Sequence, residues 1–214
     1  MTDANRQWHN ETIGKKTVEA LRKNRFSAEY FASAEEAKQH IFTLIAPEES
    51  VGIGGSATVK EIGLLEDLAK RGNLLLDHGK AGLSPEESLE IRRKQLTSDV
   101  FLTSTNAVTL DGQLVNVDGS GNRVAAMIFG PKKVVVVVGL NKIVGDIHEG
   151  FRRIQHEAAP INNKRLNRPN PCTVGGVCMN CQGPTRICNV TTIIEKALPA
   201  TPCHVIIIGE TLGY

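Results

Sequence analysis

Aromatic side chains are scarce in this 214-residue chain: one Trp, two Tyr and six Phe, 4% in all. A surface built to stack bases needs more of them, so the shortage argues against a nucleic-acid partner. A charge excess is missing as well. The 25 Lys and Arg against 23 Asp and Glu leave a formal +2, which gives no attraction to a polyanion. No long hydrophobic run occurs, because the longest, Val134–Val138, is strand-length; this excludes a membrane-spanning helix. The opening stretch MTDANRQWHNETIGKK lacks the apolar core of a secretory signal, so a reducing cytoplasm is the expected compartment. Catalytic signatures are equally thin: there is no obvious Ser-His-Asp set, no paired carboxylates and no metal-binding His pair. Of His9, His40, His78, His148, His156 and His204, only His78 follows a strand end, and a polar loop role is the better account of it.

What is present begins with ordinary bulk. Hydrophobic residues at 41% and charged residues at 22% suit one α/β domain spanning 1–214, long enough for a full core. No repeat, low-complexity tract or linker divides it. The unusual segment lies near the end. Cys172, Cys178, Cys181 and Cys188 read C-x5-C-x2-C-x6-C within a cysteine-rich loop over about 169–190, leaving Cys203 as a buried small hydrophobe beside the last strand. Gly, Pro and Asn dominate between them, so the loop has little apolar content with which to hold a shape. Four soft thiolates suit zinc or a 4Fe–4S cluster, while two disulfides or free thiols remain the bland alternative. The spacing matches neither ferredoxin run and lacks the paired knuckles of a zinc ribbon. Arg186 would offset thiolate charge or donate a hydrogen bond, if it is not simply solvated.

Along the chain, strand and helix signals alternate. Residues 6–24 form an amphipathic helix outside the core, ended by Asn24, and 25–31 a short strand. Ser33 with Glu36 opens a helix through about Leu44, Ser50–Ile53 is a buried strand, and the next helix runs to about Arg71, with Gly72 past its end. Residues 73–77 form a strand, Ser84-Pro85-Glu86-Glu87 starts a helix to about Gln95, and 99–104 is a strand. Asp111-Gly112 turns a hairpin between 106–110 and 113–117, and Val124–Phe129 continues the apolar material. The five valines of Val134–Val138 make a strand covered on both faces. Residues 146–158 and 160–167 are helical, 191–197 helical or mixed, and 204–208 a last strand. This order predicts a three-layer α/β fold: a mostly parallel sheet with helices on both faces and a local antiparallel insertion around 107–128.

In such sheets ligands bind beyond the carboxyl ends of strands. Gly54-Gly55-Ser56-Ala57-Thr58 sits there, between strand and helix, without a following Gly-Lys-Ser/Thr or a GxGxxG spacing. It reads as an anion-binding turn or simply as a tight turn in which Ser56 or Thr58 caps the helix. Thr105 and Asn106, Gly121, Asn122 and Arg123, and Asn141 and Lys142 fall at later strand ends. Together they would orient an oxygen-rich anion, though turn chemistry alone explains each one singly.

VGIGGSATVKEIGL, LTSTNAVTLDGQLVNVDGSGNRVAA, GPKKVVVVVGLNKIV and APINNKR, in that order, resemble the lactate-utilisation (LUD) domain family over roughly residues 10–213. The resemblance implies a fold like the NagB/RpiA/CoA-transferase group, whose loop at Gly54–Thr58 faces a phosphorylated sugar or acyl-CoA. It also implies a place in L-lactate oxidation beside iron–sulfur subunits, and so favours a cluster over zinc. The cysteine tail resembles that of a subset of the family. No glutamate is placed as a CoA-transferase nucleophile, and no isomerase acid pair is found. The expected function is therefore a redox-associated protein that binds a small anionic metabolite. Alternatives are a non-catalytic subunit or sensor docked on iron–sulfur partners, and an isomerase- or transferase-like enzyme. A homo-oligomer is compatible with all three.

Overall fold

The computed structural model describes residues 3–214. Helix α1 (Ala4–Lys23) starts where the Asp3 carboxylate accepts the Asn5 N–H, and ends at Asn24. Only Gly14, Thr17, Val18 and Leu21 of this helix are buried, and Trp8 in its first half stays exposed. Arg25, at φ +68°, reverses the chain into β1 (Ser27–Phe31). Ser33 caps α2 (Ala34–Leu44) by accepting from the Glu36 N–H, while the Glu36 carboxylate accepts from Ala32 rather than from Ser33 itself.

After β2 (Val51–Ile53) the single helix expected up to about Arg71 is two: α3 (Ala57–Glu61) and α4 (Leu64–Lys70), broken by Gly63 at φ +70°. Gly72 follows α4 in the left-handed region, as its position predicts. Next come β3 (Leu75–Leu76) and α5 (Pro85–Gln95), the latter opened by a complete Ser84/Glu87 capping box. Then follow β4 (Val100–Thr103), β5 (Ala107–Thr109) and β6 (Leu114–Asp118). The apolar run at Val124–Phe129 lies mostly in a helix, α6 (Asn122–Ile128), and β7 is Lys133–Gly139.

β8 (Ile143–Val144) leads to α7 (Ile147–Arg153), a π-helical turn over Ile154–Ala158, and α8 (Ala159–Arg165). The two helices expected here are thus one continuous rod with a wide turn at its middle. The cysteine segment holds only the one-turn α9 (Cys172–Gly175). Residues read as helical or mixed after it are instead a strand, β9 (Val190–Ile194), and β10 (Cys203–Ile208) closes the fold.

Six strands form an all-parallel sheet in the order β1-β10-β7-β4-β2-β3. Its valines alternate: Val134, Val136 and Val138 face one core with Leu21, Phe101 and Ile207, whereas Val135 and Val137 face the other with Ile41, Leu68 and Leu102. Helices cover both faces. The antiparallel insertion is larger than the hairpin expected, because β8-β5-β6-β9 make a second, mixed sheet of four strands. Val108 and Leu114 of that sheet pack into the first core, and Ala107 and Val115 pack against Ile154 and Ala159 of the rod. Among the described residues no helix is long and apolar enough to cross a membrane.

Candidate functional site

Three neighbouring parallel strands, β2, β4 and β7, end side by side, and their carboxyl ends floor a cleft of about 400 Å³. Gly54 extends the β2 ladder by donating to Leu102 O at 2.9 Å. A Cβ there would lie 2.8 Å from Thr103 Cβ, so only glycine lets the two strand ends close up. Gly55 then takes φ +70°, turning the chain away. Ser56 Oγ accepts from Val59 N at 3.2 Å, so the cap reading of this hydroxyl describes what it does.

Of the residues singled out in the sequence, Gly54, Gly55, Ser56, Thr105, Asn106, Asn122, Arg123 and Lys142 line the cleft. Thr58, Gly121 and Asn141 do not. Thr58 is buried beneath the floor, and Gly121, at φ +81°, starts α6. Asn141 fastens the carboxyl terminus: its Oδ1 accepts from Leu212 N at 3.1 Å and its Nδ2 donates to Gly213 O.

The polar strand ends spend most of their bonds on one another. Arg123 Nη1 donates to Ser104 O and Asn116 Oδ1, and Nη2 to Asn106 Oδ1 and Val117 O, with Asp118 3.8 Å from Nε. Its donors are thereby committed, so Arg123 contributes positive potential and rigidity to the cleft rather than a free hydrogen bond. Thr105 Oγ1 is likewise turned to the hairpin backbone.

Lys142 is different. It ends the 3-10 turn Leu140–Lys142 after β7 and is only 3% exposed, yet it lines the cleft floor together with Ser104. Nζ donates to Thr58 Oγ1 at 2.8 Å and Ser104 Oγ at 3.0 Å. Burial, and then Arg153 and Arg123, push its ammonium down to about 7, with Glu157 and Glu61 pulling the other way.

His78 stands in the wall, its ring 3.6 Å from where a Gly55 Cβ would be. Gln95 Nε2 lies 2.8 Å from both Ile53 O and Leu76 O, which fixes that amide as the donor end. The same nitrogen is 3.0 Å from His78 Nδ1, which holds the ring in the wall of the cleft. Burial, then Arg92, lowers the His78 pKa.

Around the mouth stand groups that the sequence did not single out. Lys60, Arg92, Arg165 and Arg168 bring the basic side chains in the lining to six, against the two carboxylates of Asp77 and Asp118. Among the described residues Lys60 and Arg168 join no ion pair. Arg92 Nε is buried without a hydrogen-bond partner, and Tyr214 Oη lies beside Arg165. Basic residues in the last turn of a helix were the available signal for Arg165. What hid them is that 165–168 reach the cleft only by folding back across the second sheet.

The cysteine segment docks on the rod through its wide turn. The Ala159 N–H bonds Ile154 O, five residues back, and one step further on that register points Gln155 O at Pro160, which has no N–H. Cys178 N supplies the missing donor to Gln155 O at 2.8 Å. Buried Asn170 ties the loop further, donating to Asn163 Oδ1 and Thr185 O. Arg186 is no idle surface cation, for it donates to the carbonyls of Cys181 and Cys188 and to Asn180 Oδ1.

All five cysteines are free thiols; Cys172 is buried, Cys178 exposed, Cys181 and Cys188 half-buried, and Cys203 buried as expected. Burial, and then Cys178, push the Cys188 thiol up to about 11, and Cys181 and Cys178 add to the burial that raises Cys172, so the four sit within one another's electrostatic reach. Among the described residues no three His, Cys, Asp or Glu side chains are gathered as they would be round a metal ion. The donor set itself suits a thiophilic centre. The loop also meets the cleft: Ile187 lines it, and Asn189 donates to Asp118 O and Gly119 O.

Comparison with known proteins places the fold. A crystal structure of a DUF162 family protein from Deinococcus radiodurans superposes with a TM-score of 0.54 at 16% identity, covering 93% of this chain and 98% of that one. That likeness is one of fold. A comparison with curated proteins gives no match. The LUD domain model matches residues 14–208, from the buried half of α1 to the end of β10, and the chain belongs to the LUD domain family.

Proposed function

We propose that this is a lactate-utilisation-like, redox-associated protein that binds a small anionic metabolite in the basic cleft. Six basic side chains facing two carboxylates around one cavity is the observation that carries this reading. A volume of about 400 Å³ suits a small metabolite, and the unpartnered Arg92 Nε is the kind of buried polar atom that a ligand or ordered water satisfies. Because the Arg123 donors are already used, the carboxylate or phosphate would be met by Lys60, Arg165 and Arg168 and oriented by His78 and Asn122. An isomerase- or transferase-like reaction finds less support, since Asp118 is occupied by Arg123 and the Val124 N–H.

Calorimetry at low salt with L-lactate, pyruvate and inorganic phosphate tests the reading. One of these anions should bind, and losing one charged contact in Arg168→Ala or Lys60→Ala should weaken it by about tenfold. Equal binding of the neutral amide of lactate, or none by any of the three, would overturn it.

Cys172, Cys178, Cys181 and Cys188 would hold zinc or a 4Fe–4S cluster, which would supply a structural pin or an electron-transfer centre. Arg186, donating to the loop carbonyls, would hold the segment in register for it. Anaerobic reconstitution with iron and sulfide, or with zinc, should give one centre per chain and lose it in Cys178→Ser. Failure of both metals to load at stoichiometry removes this part of the reading.

A second role, docking on an iron–sulfur partner in a reducing cytoplasm, draws support from apolar side chains exposed around the cysteines. Val174 is 92% and Met179 61% exposed. Co-purification with iron–sulfur proteins, lost in Val174→Asp, would distinguish this role from activity of the chain alone.

A further inference from the structure

Lys142 has none of the usual companions of a buried ammonium. No carboxylate lies within ion-pair distance of it among the described residues, and both groups bonded to its nitrogen are hydroxyls. Those hydroxyls have already placed their own protons: Thr58 Oγ1 donates to Leu212 O at 3.3 Å, and Ser104 Oγ donates to Thr105 O at 3.3 Å. Each therefore turns a lone pair to Nζ, and the lysine must be the donor in both contacts. A neutral amine fills both with its two N–H groups and keeps its lone pair. The cleft is the open side of this site. A structural lysine bridging β7 to α3 and β4 would be better served by a carboxylate, and none is there.

We infer that Lys142 is a covalent nucleophile whose neutral amine condenses with the carbonyl carbon of a small 2-oxo acid held in the cleft. This rests on the anion-binding reading of the cleft. The nitrogen lone pair forms the new C–N bond, and the carbonyl π pair moves to oxygen, which gains the proton that nitrogen sheds. The carbinolamine then loses water as the C–O bond breaks and the second N–H proton leaves, giving an imine. Oxygen leaves as water, and no oxidant or reductant enters. The substrate's own carboxylate supplies the counter-charge that the protein omits, because an iminium beside Arg123 and Arg153 would otherwise be opposed by like charge. The charged groups that set the amine are Arg153 and Arg123 on one side and Glu157 and Glu61 on the other, and burial dominates them all.

Incubating the intact protein with pyruvate and sodium cyanoborohydride, which reduces an imine to a stable amine, tests this directly. Peptide mapping should find one adduct, on Lys142, forming faster as pH rises through about 7. Lys142→Arg and Lys142→Met should abolish it, and Thr58→Val, which keeps the lysine, should retain the adduct on that residue. Absence of an adduct at Lys142, or an adduct spread over exposed lysines and unchanged in Lys142→Arg, would overturn the inference. Calorimetric binding of pyruvate without any adduct sinks the nucleophile and leaves the anion site standing. Absence of both binding and adduct with pyruvate sinks the nucleophile, and the anion site falls with it only when L-lactate and phosphate also fail to bind. The wild-type map decides even if a variant fails to fold.

Discussion

Lys142 carries a stability signature that can be read without any substrate. Its folded pKa, about 7, lies below the ordinary 10.5, so between those values the unfolded chain binds the extra proton. The penalty is complete below pH 7, shrinks as pH rises and vanishes near 10.5. Lys142→Met should therefore raise stability at pH 7 by an amount on the order of 1–3 kcal/mol, since relaxation recovers only part of the full shift. The gain should fade toward pH 10. Difference melting curves of the two proteins isolate this term from Cys188 and Cys203, whose raised pKa values work against stability above pH 9 in both. A gain that is flat with pH would mean that burial of charge is not its source.

Arg123 is the opposite kind of residue. It ties β4's end, the hairpin and α6 together through four acceptors, and deleting it strands Asp118 and two carbonyls. Arg123→Ala should cost about 3 kcal/mol in urea unfolding, and Arg123→Lys should recover little of it because one ammonium cannot span the fork. A loss under about 0.5 kcal/mol would show that the network is ornamental.

At the scale of elements, Pro160 is the residue to change. Pro160→Ala supplies an N–H where the rod now lacks one, letting the wide turn relax toward an ordinary helix and compete for Gln155 O. The Cys178 amide should then exchange with solvent at least about tenfold faster, while α1 and β7 amides keep their protection. Unchanged exchange at Cys178 would mean that the freed carbonyl is not what anchors the loop.

Elements whose cause is local were legible before any coordinates. Ser33, Ser84 and Asp146 cap helices through their own side chains, Gly72 ends one, and five valines fill a strand buried on both sides. What escaped has a distant cause. The five residues of β9, Val190–Ile194, are all β-branched, which favours a strand, but its pairing with Asp118–Leu114, far earlier in the chain, is not written in them. α6 begins at a left-handed Gly121 with no side-chain cap, so its start carried only a turn signal. At the site, residues on strand ends could be named because parallel sheets put ligands there, whereas Arg165 and Arg168 required the path of the chain.

At the scale of the whole molecule, the cleft and the cysteine loop are neighbours rather than separate features. If the folded loop holds the proposed zinc or cluster, loading it should raise the melting temperature of the intact protein, and Cys172→Ser should erase the rise. A protein whose melting point ignores added metal under reducing, anaerobic conditions has no such centre.

The wall these two regions share is narrow. Ile187 faces the cleft while the next residue, Cys188, belongs to the thiol group, and Asn189 is pinned to the Asp118–Gly119 turn on the cleft's rim. Any displacement of Cys188 must pass through that joint. If a ligand at one side alters the free energy of the other, reciprocity requires the debt to run both ways by the same factor. An anion should then bind metal-loaded and metal-free protein with different dissociation constants, and the anion should shift metal affinity by an equal ratio. If the proposed metal and anion sites are both filled, a molecule with this joint would report the state of each through the other.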